Sequence, residues 1–397
     1  MSDSTVAIVH DYLNQRGGAE RVVLEMSDMW PGAPIYTSLY RPDSTWPGFA
    51  GRDVRTSFLD RLPVDRGFRG LLPLYPAAFR SFGEIDAEVV LSSSSGWAHM
   101  VRTHPRAMHM VYCHTPARWL YGGEHIGLGP RRQRLAKSGF AALRRLDRVA
   151  ARRADYYIAN SNVVRSRVKR AYGIDAPVVP PPVDVDRFRP TPRGDRLLVV
   201  SRLLPYKHVD LVVQAATRSG VGLDVVGDGP LLAGLRELAG PTVTLHGVVD
   251  DRAVVELMES CRAVCVAAEE DFGLVAVEAQ AAGKPVIAYG RGGVLETIDE
   301  GLTGVLFREH TVEAVIEAIA ECEGLEASPE AIAAHVRRFS RPAFHARLHA
   351  HIDDALGRGG ETGPGENAAK VESQRGGPRR LRANREVDTR WRVSAYE

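Results

Sequence analysis

The sequence predicts an α/β protein built from two doubly wound domains that face each other across a cleft. Three observations carry this. Strand-like and helix-like runs alternate in two separate series, a proline-dense segment divides the series, and 397 residues exceed what one core ordinarily organises. Hydrophobic residues at 44% and charged residues at 25% are ordinary globular usage, which excludes a fibrous or wholly disordered chain.

The first series opens with a strand at Val6–His10, a loop containing Gly17-Gly18 and a helix from Ala19 to Met29. Apolar runs at Glu88–Ser92 and Met108–Tyr112 read as strands, and residues 131–153 as a long arginine-rich helix. Tyr156–Ala159 gives a further strand, and Asn162–Tyr172 a helix stopped by Gly173. Pro177, Pro180, Pro181, Pro182, Pro190 and Pro192 then crowd a segment that can continue neither a helix nor a central strand, so it is the linker.

The second series alternates more regularly. Strands are expected at Arg196–Ser201, Leu223–Val226, Val243–His246, Ala263–Ala267 and Pro285–Ala288. Helices are expected at Val209–Thr217, Leu231–Leu238, Ala253–Ser260, Gly273–Ala282 and Thr311–Glu323, and a last one at Pro342–Leu356. The expected organisation is a first domain over 1–176, the linker over 177–192, a second domain over 193–340, a closing helix within 341–357 and a tail over 358–397. In that tail aliphatic residues nearly vanish and disorder is expected.

Four cysteines are too few for a disulfide framework, and no second pair answers Cys261 and Cys265 as zinc ligands; free buried thiols in a reducing cytosol are expected. Charged residues Asp3 and Asp11 precede any long apolar stretch, and no uncharged run approaches the ~20 residues of a membrane span, so a cytoplasmic protein is expected. Only five lysines stand against 46 arginines, which gives slightly more weight to each lysine that survives.

Open parallel sheets bind ligands at the carboxyl ends of their strands, and the candidate residues collect there. Ala268-Glu-Glu-Asp-Phe-Gly-Leu-Val-Ala-Val-Glu278 follows a strand and begins a helix. Glu270 falls in the loop, and the amides of Gly273, Leu274 and Val275 form an anion seat beside Phe272. Glu278 lies on the first turns of the helix. Two acceptors flanking a phosphate-friendly loop suit a molecule with hydroxyls on both sides of a phosphate, as in a nucleotide sugar. The plainer alternative is that the helix dipole favours acids at this position.

Arg202 ends the domain's first strand and Lys207 heads the following helix, a sensible diphosphate clamp, although ordinary surface cations would look the same. Gly17-Gly18 lets backbone approach a phosphate but lacks dinucleotide spacing, and the near match at Gly227-Asp-Gly-Pro230 loses an amide to proline. His114 follows a strand directly and is the best placed of 13 histidines. Asp184-Val-Asp186 matches a metal-binding string but lies in the linker with no strand to aim it, and reads as a turn.

Taken together, the Gly-Gly loop, His114-Thr-Pro, Arg202-x4-Lys207, Gly227-Asp-Gly-Pro and Glu270-x7-Glu278 resemble glycosyltransferase family 4 over residues 5–356. The opening Val9-His-Asp-Tyr with Gly-Gly-Ala-Glu-Arg21 is most similar to bacterial mannosyltransferases of surface-polysaccharide assembly. The resemblance implies the GT-B fold, two Rossmann-like domains, and retention of the sugar's anomeric configuration.

It further implies that Arg202 and Lys207 hold the donor diphosphate, Glu278 the ribose and Glu270 the donor sugar, and that Gly17 and Gly18 cover the phosphates. His114 would contact the sugar near the reacting centre. Ala268 departs mildly from the family's usual small residue there. The expected reaction is transfer of a hexose, mannose from GDP-mannose, to a glycan or polyprenyl-phosphate-linked acceptor without cofactor or metal, and no nucleic acid is expected as partner. The alternatives are a nucleotide-sugar 2-epimerase of the same architecture and a binding protein that does not turn over.

The net charge of +2 conceals an asymmetry: residues 1–192 carry +9, 193–356 carry −10 and 357–397 carry +3. Within 131–170 alone, 13 Lys and Arg face only Asp147 and Asp155. On the acceptor side of such an enzyme, this stretch is expected to dock on an anionic membrane surface or a phosphate-bearing acceptor. Its plain alternative is a solvated arginine-rich helix.

Overall fold

The computed structural model describes residues 5–62, 71, 74–121 and 130–357, with backbone alone over 130–138. The tail over 358–397 lies outside the described residues.

The first domain contains β1 (Val6–His10), β2 (Ile35–Thr37), β3 (Val54–Thr56), β4 (Glu84–Ile85), β5 (Val89–Ser94), β6 (Arg102–Thr103), β7 (Met108–Cys113) and β8 (Tyr156–Ala159). All but β4 and β6, which pair with each other, join one parallel sheet in the order β3-β2-β1-β5-β7-β8. The second sheet uses β9 (Leu197–Val200), β10 (Leu223–Val226), β11 (Val243–Gly247), β12 (Ala263–Val266), β13 (Val286–Tyr289) and β14 (Gly304–Phe307) in the order β11-β10-β9-β12-β13-β14. Both sheets therefore reverse direction beside their own first strand, at β1/β5 and at β9/β12, which is where a doubly wound sheet opens a crevice.

The described helices are α1 (Gly18–Met29), α2 (Tyr75–Arg80), α3 (Arg118–Tyr121), α4 (Pro130–Ala151) and α5 (Asn162–Tyr172) in the first half. In the second half they are α6 (Val209–Ser219), α7 (Leu232–Leu238), α8 (Asp251–Ser260), α9 (Leu274–Ala281), α10 (Val294–Thr297), α11 (Val312–Glu323), α12 (Pro329–Val336) and α13 (Arg341–Ala355).

Central strands such as Val6–His10 and Ala263–Val266 are buried along their whole length because helices cover both faces, so they show as continuous apolar runs rather than alternating ones. Pattern reading misses β2, β3, β14 and α12. Three-residue strands such as Ile35–Thr37 are too short to display a period.

The linker is anchored at both ends. Buried Lys284 donates to the carbonyls of Thr191 (3.0 Å) and Pro192, and the Tyr112 hydroxyl donates to the Val179 carbonyl at 2.9 Å. Asp184 precedes a 3-10 turn at Val185–Arg187, and Asp186 meets Arg337 at 3.4 Å, so this string is a turn as its linker position implied. Helix α13 returns to the first domain, where Phe344, Leu348 and Ile352 join the core around Ile8, Met110 and Ile158. All four cysteines are free and buried. Among the described residues no helix is long and apolar enough to cross a membrane.

Candidate functional site

The strand ends of both sheets open onto one cavity of about 900 Å3. Gly17, Gly18, His114, Arg202, Lys207, Glu270, Phe272, Gly273, Leu274 and Val275 all line it, which unites ten positions from four separate segments.

The loop after β9 turns through a 3-10 segment, Pro205–Lys207, ending at His208 with a left-handed φ of 49°. This turn aims the Lys207 ammonium at Glu270, with Nζ–Oε1 at 2.5 Å, while Arg202 donates to the Tyr206 hydroxyl at 3.2 Å. Glu270 is fixed in turn by its carbonyl, which accepts from the Gly293 amide at 2.7 Å. Helix α9 starts at Gly273 with φ 93° and no capping side chain, so its first amides are left for water or a ligand. An acceptor pre-aligned by a cation thus lies beside an uncapped helix start.

From the other domain, Gly17 is the residue before α1, and a Cβ on Gly18 would stand 2.5 Å from the Leu274 side chain. The two domains approach closely here, and any larger residue at Gly18 would have to push the Leu274 side chain aside. His114 is buried, and its Nε2 lies 2.8 Å from the Ser93 hydroxyl, which also meets His10 Nδ1 at 3.2 Å. Burial, reinforced by His10, pushes the His114 imidazole down to about 3, so the ring is neutral at physiological pH.

Two candidates fall elsewhere. Gly227 does not line the cavity; its φ of 135° and the Ser201 carbonyl, 1.8 Å from where a Cβ would stand, make it a backbone requirement. Glu278, expected to be open to ligand hydroxyls, is instead buried and ion-paired with Arg21 of the first domain, which also lies 4.6 Å over the Trp46 ring. The basic stretch is also less free than its composition implies. Arg144, Arg148 and Arg152 donate to the carbonyls of Leu120, Ala171 and Tyr172, and Arg167 pairs with Asp271 and Glu269.

Residue patterns missed several groups at the cleft. The buried Asp11 carboxylate accepts from the amides of Ser95 (2.6 Å), Trp97 (2.7 Å) and Ala98 (2.8 Å), which fixes the loop after β5. Its one local signal is its position immediately after a strand. Glu20 is buried in the first turn of α1 beside Gln15 (2.9 Å), and burial raises its carboxyl above the usual range. Arg118 joins Asp271 at 2.5 Å and so, with Arg167, ties the first domain to the loop carrying Glu270.

The family model for Glycosyltransferase Family 4 matches residues 16–187, and that for Glycosyl transferases group 1 matches residues 186–339. A GDP-mannose-dependent alpha-(1-6)-phosphatidylinositol monomannoside mannosyltransferase of Mycobacterium tuberculosis is 37% identical over 194 residues, covering 41% of this chain and 50% of that protein. A D-inositol 3-phosphate glycosyltransferase of Actinosynnema mirum is 33% identical over 228 residues, covering 47% of this chain and 54% of that one. The matched region thus spans about half the length of these curated relatives.

Among solved structures, Anabaena Alr3699/HepE in complex with UDP and glucose superposes with a TM-score of 0.69 at 18% identity, covering 88% of this chain and 99% of that one. Sucrose-phosphate synthase of Thermosynechococcus elongatus gives 0.68 at 17% identity, covering 89% and 100%. These likenesses agree with the paired sheets in a GT-B fold. With the two family models running together from residue 16 to residue 339, the chain belongs to glycosyltransferase family 4.

Proposed function

We propose that the protein is a retaining hexosyltransferase that moves mannose from GDP-mannose to a glycan or lipid-linked acceptor. The observation that carries this reading is the union of Lys207, Glu270, Arg202 and the uncapped start of α9 beneath the Gly17-Gly18 loop. Fixed cations and helix amides suit a leaving diphosphate, whose charge grows as the glycosyl bond breaks.

In this reading Arg202 and Lys207 hold the diphosphate, Glu270 and neutral His114 contact the sugar, and the α9 amides lie beside both. The bond from the sugar's anomeric carbon to the phosphate oxygen breaks, and one to the acceptor oxygen forms on the same face. The acceptor's proton passes to the departing phosphate. The cation set within the cavity serves the role a metal would otherwise fill, and Asp184-Val-Asp186 lies outside that cavity. The mannosyltransferase named among the relatives supports the choice of donor.

Incubation with radiolabelled nucleotide sugars and membrane lipid extract tests the reading. Release of GDP from GDP-mannose, with label transferred to the extract, is the expected result. Release of no nucleoside diphosphate from any common donor contradicts it. An epimerised donor formed without acceptor would replace it with the 2-epimerase alternative.

On the same reading the protein works in the cytoplasm against the inner membrane face. The outward side of α4 and the turn that follows it, where Arg145, Val149, Arg152 and Arg153 are exposed, would contact anionic lipid. Reversing Arg145, Arg152 and Arg153 should release the chain from phosphatidylglycerol vesicles, and unchanged binding would remove the membrane contact.

A further inference from the structure

A second chamber of about 750 Å3 adjoins the first, and Arg118, Thr115 and Tyr206 line both. Its walls come from α4 and α5 on one side, and on the other from the end of β13 and the loops that follow β9, β12 and β14. Neither the Gly17-Gly18 loop, nor Lys207, nor the start of α9 lines it. The strand order explains the offset. The donor groups cluster at the β9/β12 reversal, and β13 and β14 lie to one side of it. The chamber is therefore contiguous with the donor cleft without sharing its diphosphate groups, as the seat of a second substrate should be.

Its charge is lopsided. Five arginines line it against one acid, Glu269. Two of them are already neutralised, because Arg118 pairs with Asp271 and Arg167 with both Asp271 and Glu269. Arg144, Arg148 and Arg170 have no carboxylate partner among the described residues. Asp147, on the same helix as two of them, is buried and committed to His99 (2.9 Å) and the Tyr121 hydroxyl (2.7 Å).

The orientation of two of these cations is built in. Arg144 donates through Nε to the Leu120 carbonyl at 2.8 Å, and Arg148 through Nε to that of Ala171 at 2.9 Å. A bond through Nε fixes the plane of the guanidinium and leaves the two terminal nitrogens as a fork. Such forks match the paired oxygens of a phosphate. The opposite wall is a stack of rings, with His310 3.7 Å from Tyr289 and 4.0 Å from His208 between centroids. A cationic wall facing a ring wall suits a phosphate joined to a saturated ring.

We propose that this chamber is the acceptor's anion subsite. It takes the phosphate of a phosphorylated sugar or cyclitol on Arg144, Arg148 and Arg170, so that the ring's hydroxyl reaches the donor cleft past Arg118. The proposal rests on reading the neighbouring cleft as a glycosyl-donor site, and it adds the chemical class of the acceptor.

The test is calorimetry on the full chain with GDP saturating the donor cleft. The probes are D-inositol 3-phosphate, unphosphorylated inositol, and vesicles of equimolar phosphatidylcholine and phosphatidylinositol. The variants are Arg170→Glu, whose side chain is exposed, and Arg148→Gln.

The native chain should bind a phosphorylated probe about ten-fold or more tighter than inositol. Each variant should lose about that factor while GDP affinity stays within about two-fold. Binding of the soluble phosphate identifies a free phosphate ester as the source; binding of vesicles alone, lost in both variants, identifies a lipid headgroup. Native binding to neither phosphate probe, or phosphate binding unchanged in both variants, overturns the subsite. Native chain that binds phosphate through these arginines but not GDP overturns the donor reading instead, and leaves the chamber an anion site.

Discussion

The two domains share a strand order and treat charge in opposite ways. Among the described residues the first domain buries the acids and histidines His10, Asp11, Glu20, Glu25, His99, His109, His114 and Asp147, whereas the second buries one acid, Glu278, and one lysine, Lys284. The second keeps its chemistry at the cleft wall, where Lys207 and Glu270 are already paired and only partly buried. Lys284 is spent on the linker carbonyls. On the proposed reading, the second domain's cations must face the cleft, where a diphosphate could reach them. The first domain instead hides a polar network behind the cleft: His10, Ser93 and His114 form one chain, and Asp11 braces the loop after β5. Substitutions and pH should therefore act differently on the two halves.

The largest expected effect is on the second domain's cleft wall. Lys207→Ala or Glu270→Ala should lower turnover about 10²- to 10³-fold, as loss of a group that stabilises developing charge does. Each should change stability by no more than about 1 kcal/mol, because an ion pair that still reaches the solvent of the cleft contributes little to folding. Steady-state rates and melting curves on the same preparations check both halves of this statement. A variant that melts early with normal turnover would make the pair structural.

Acid should act on the first domain. Burial holds both His109 and His114 down to about 3, against 6.5 for an ordinary histidine. Between those values the unfolded chain binds protons that the folded chain refuses. Stability from these groups is therefore fully present above about 6.5 and falls as the pH drops towards 3. Each histidine contributes a slope of about 1.4 kcal/mol per pH unit in the lower part of that window. Calorimetric scans between pH 7 and pH 4 should show the loss, and His109→Gln should reduce it. A first domain as acid-resistant as the second would break the contrast between them. Activity, for its part, should show no inflection from His114 near neutrality.

A smaller effect is expected where the domains meet. Arg21 occupies the Glu278 carboxylate that would hold the donor ribose. Removing it with Arg21→Ala should tighten GDP-mannose binding by about three-fold, the worth of one partly exposed ion pair. Weaker binding would show that Arg21 holds the donor rather than competing with it.

This contact also marks how far the sequence can be read. Lys207 and Glu270 were legible because each lies in the loop that follows a strand, and parallel strands aim their trailing loops at a crevice. Arg21 and Glu278 are 257 residues apart and meet only because the domains dock. The same holds for Arg118 and Arg167 on Asp271. Position alone put Glu278 on the right helix but could not say that a cation from the other domain covers it. The arginine-rich helix shows the same limit. Composition gave its charge, but which arginines turn to carbonyls, to the chamber or to water depends on packing. Short strands such as Val54–Thr56 escaped because their stability comes from neighbours in the sheet rather than from their own pattern.

On the proposed reading, a nucleoside-diphosphate sugar seats between the two domains on Lys207. Thermal melting of the native chain and of Lys207→Ala with GDP-mannose tests it most directly. A ligand present at about 100 times its dissociation constant adds ~2.7 kcal/mol, which should raise the native melting temperature by several degrees. That shift is expected for the native chain and should be almost completely lost in Lys207→Ala. An equal shift in both, or none in the native chain with GDP-mannose or any other nucleotide sugar, would contradict it.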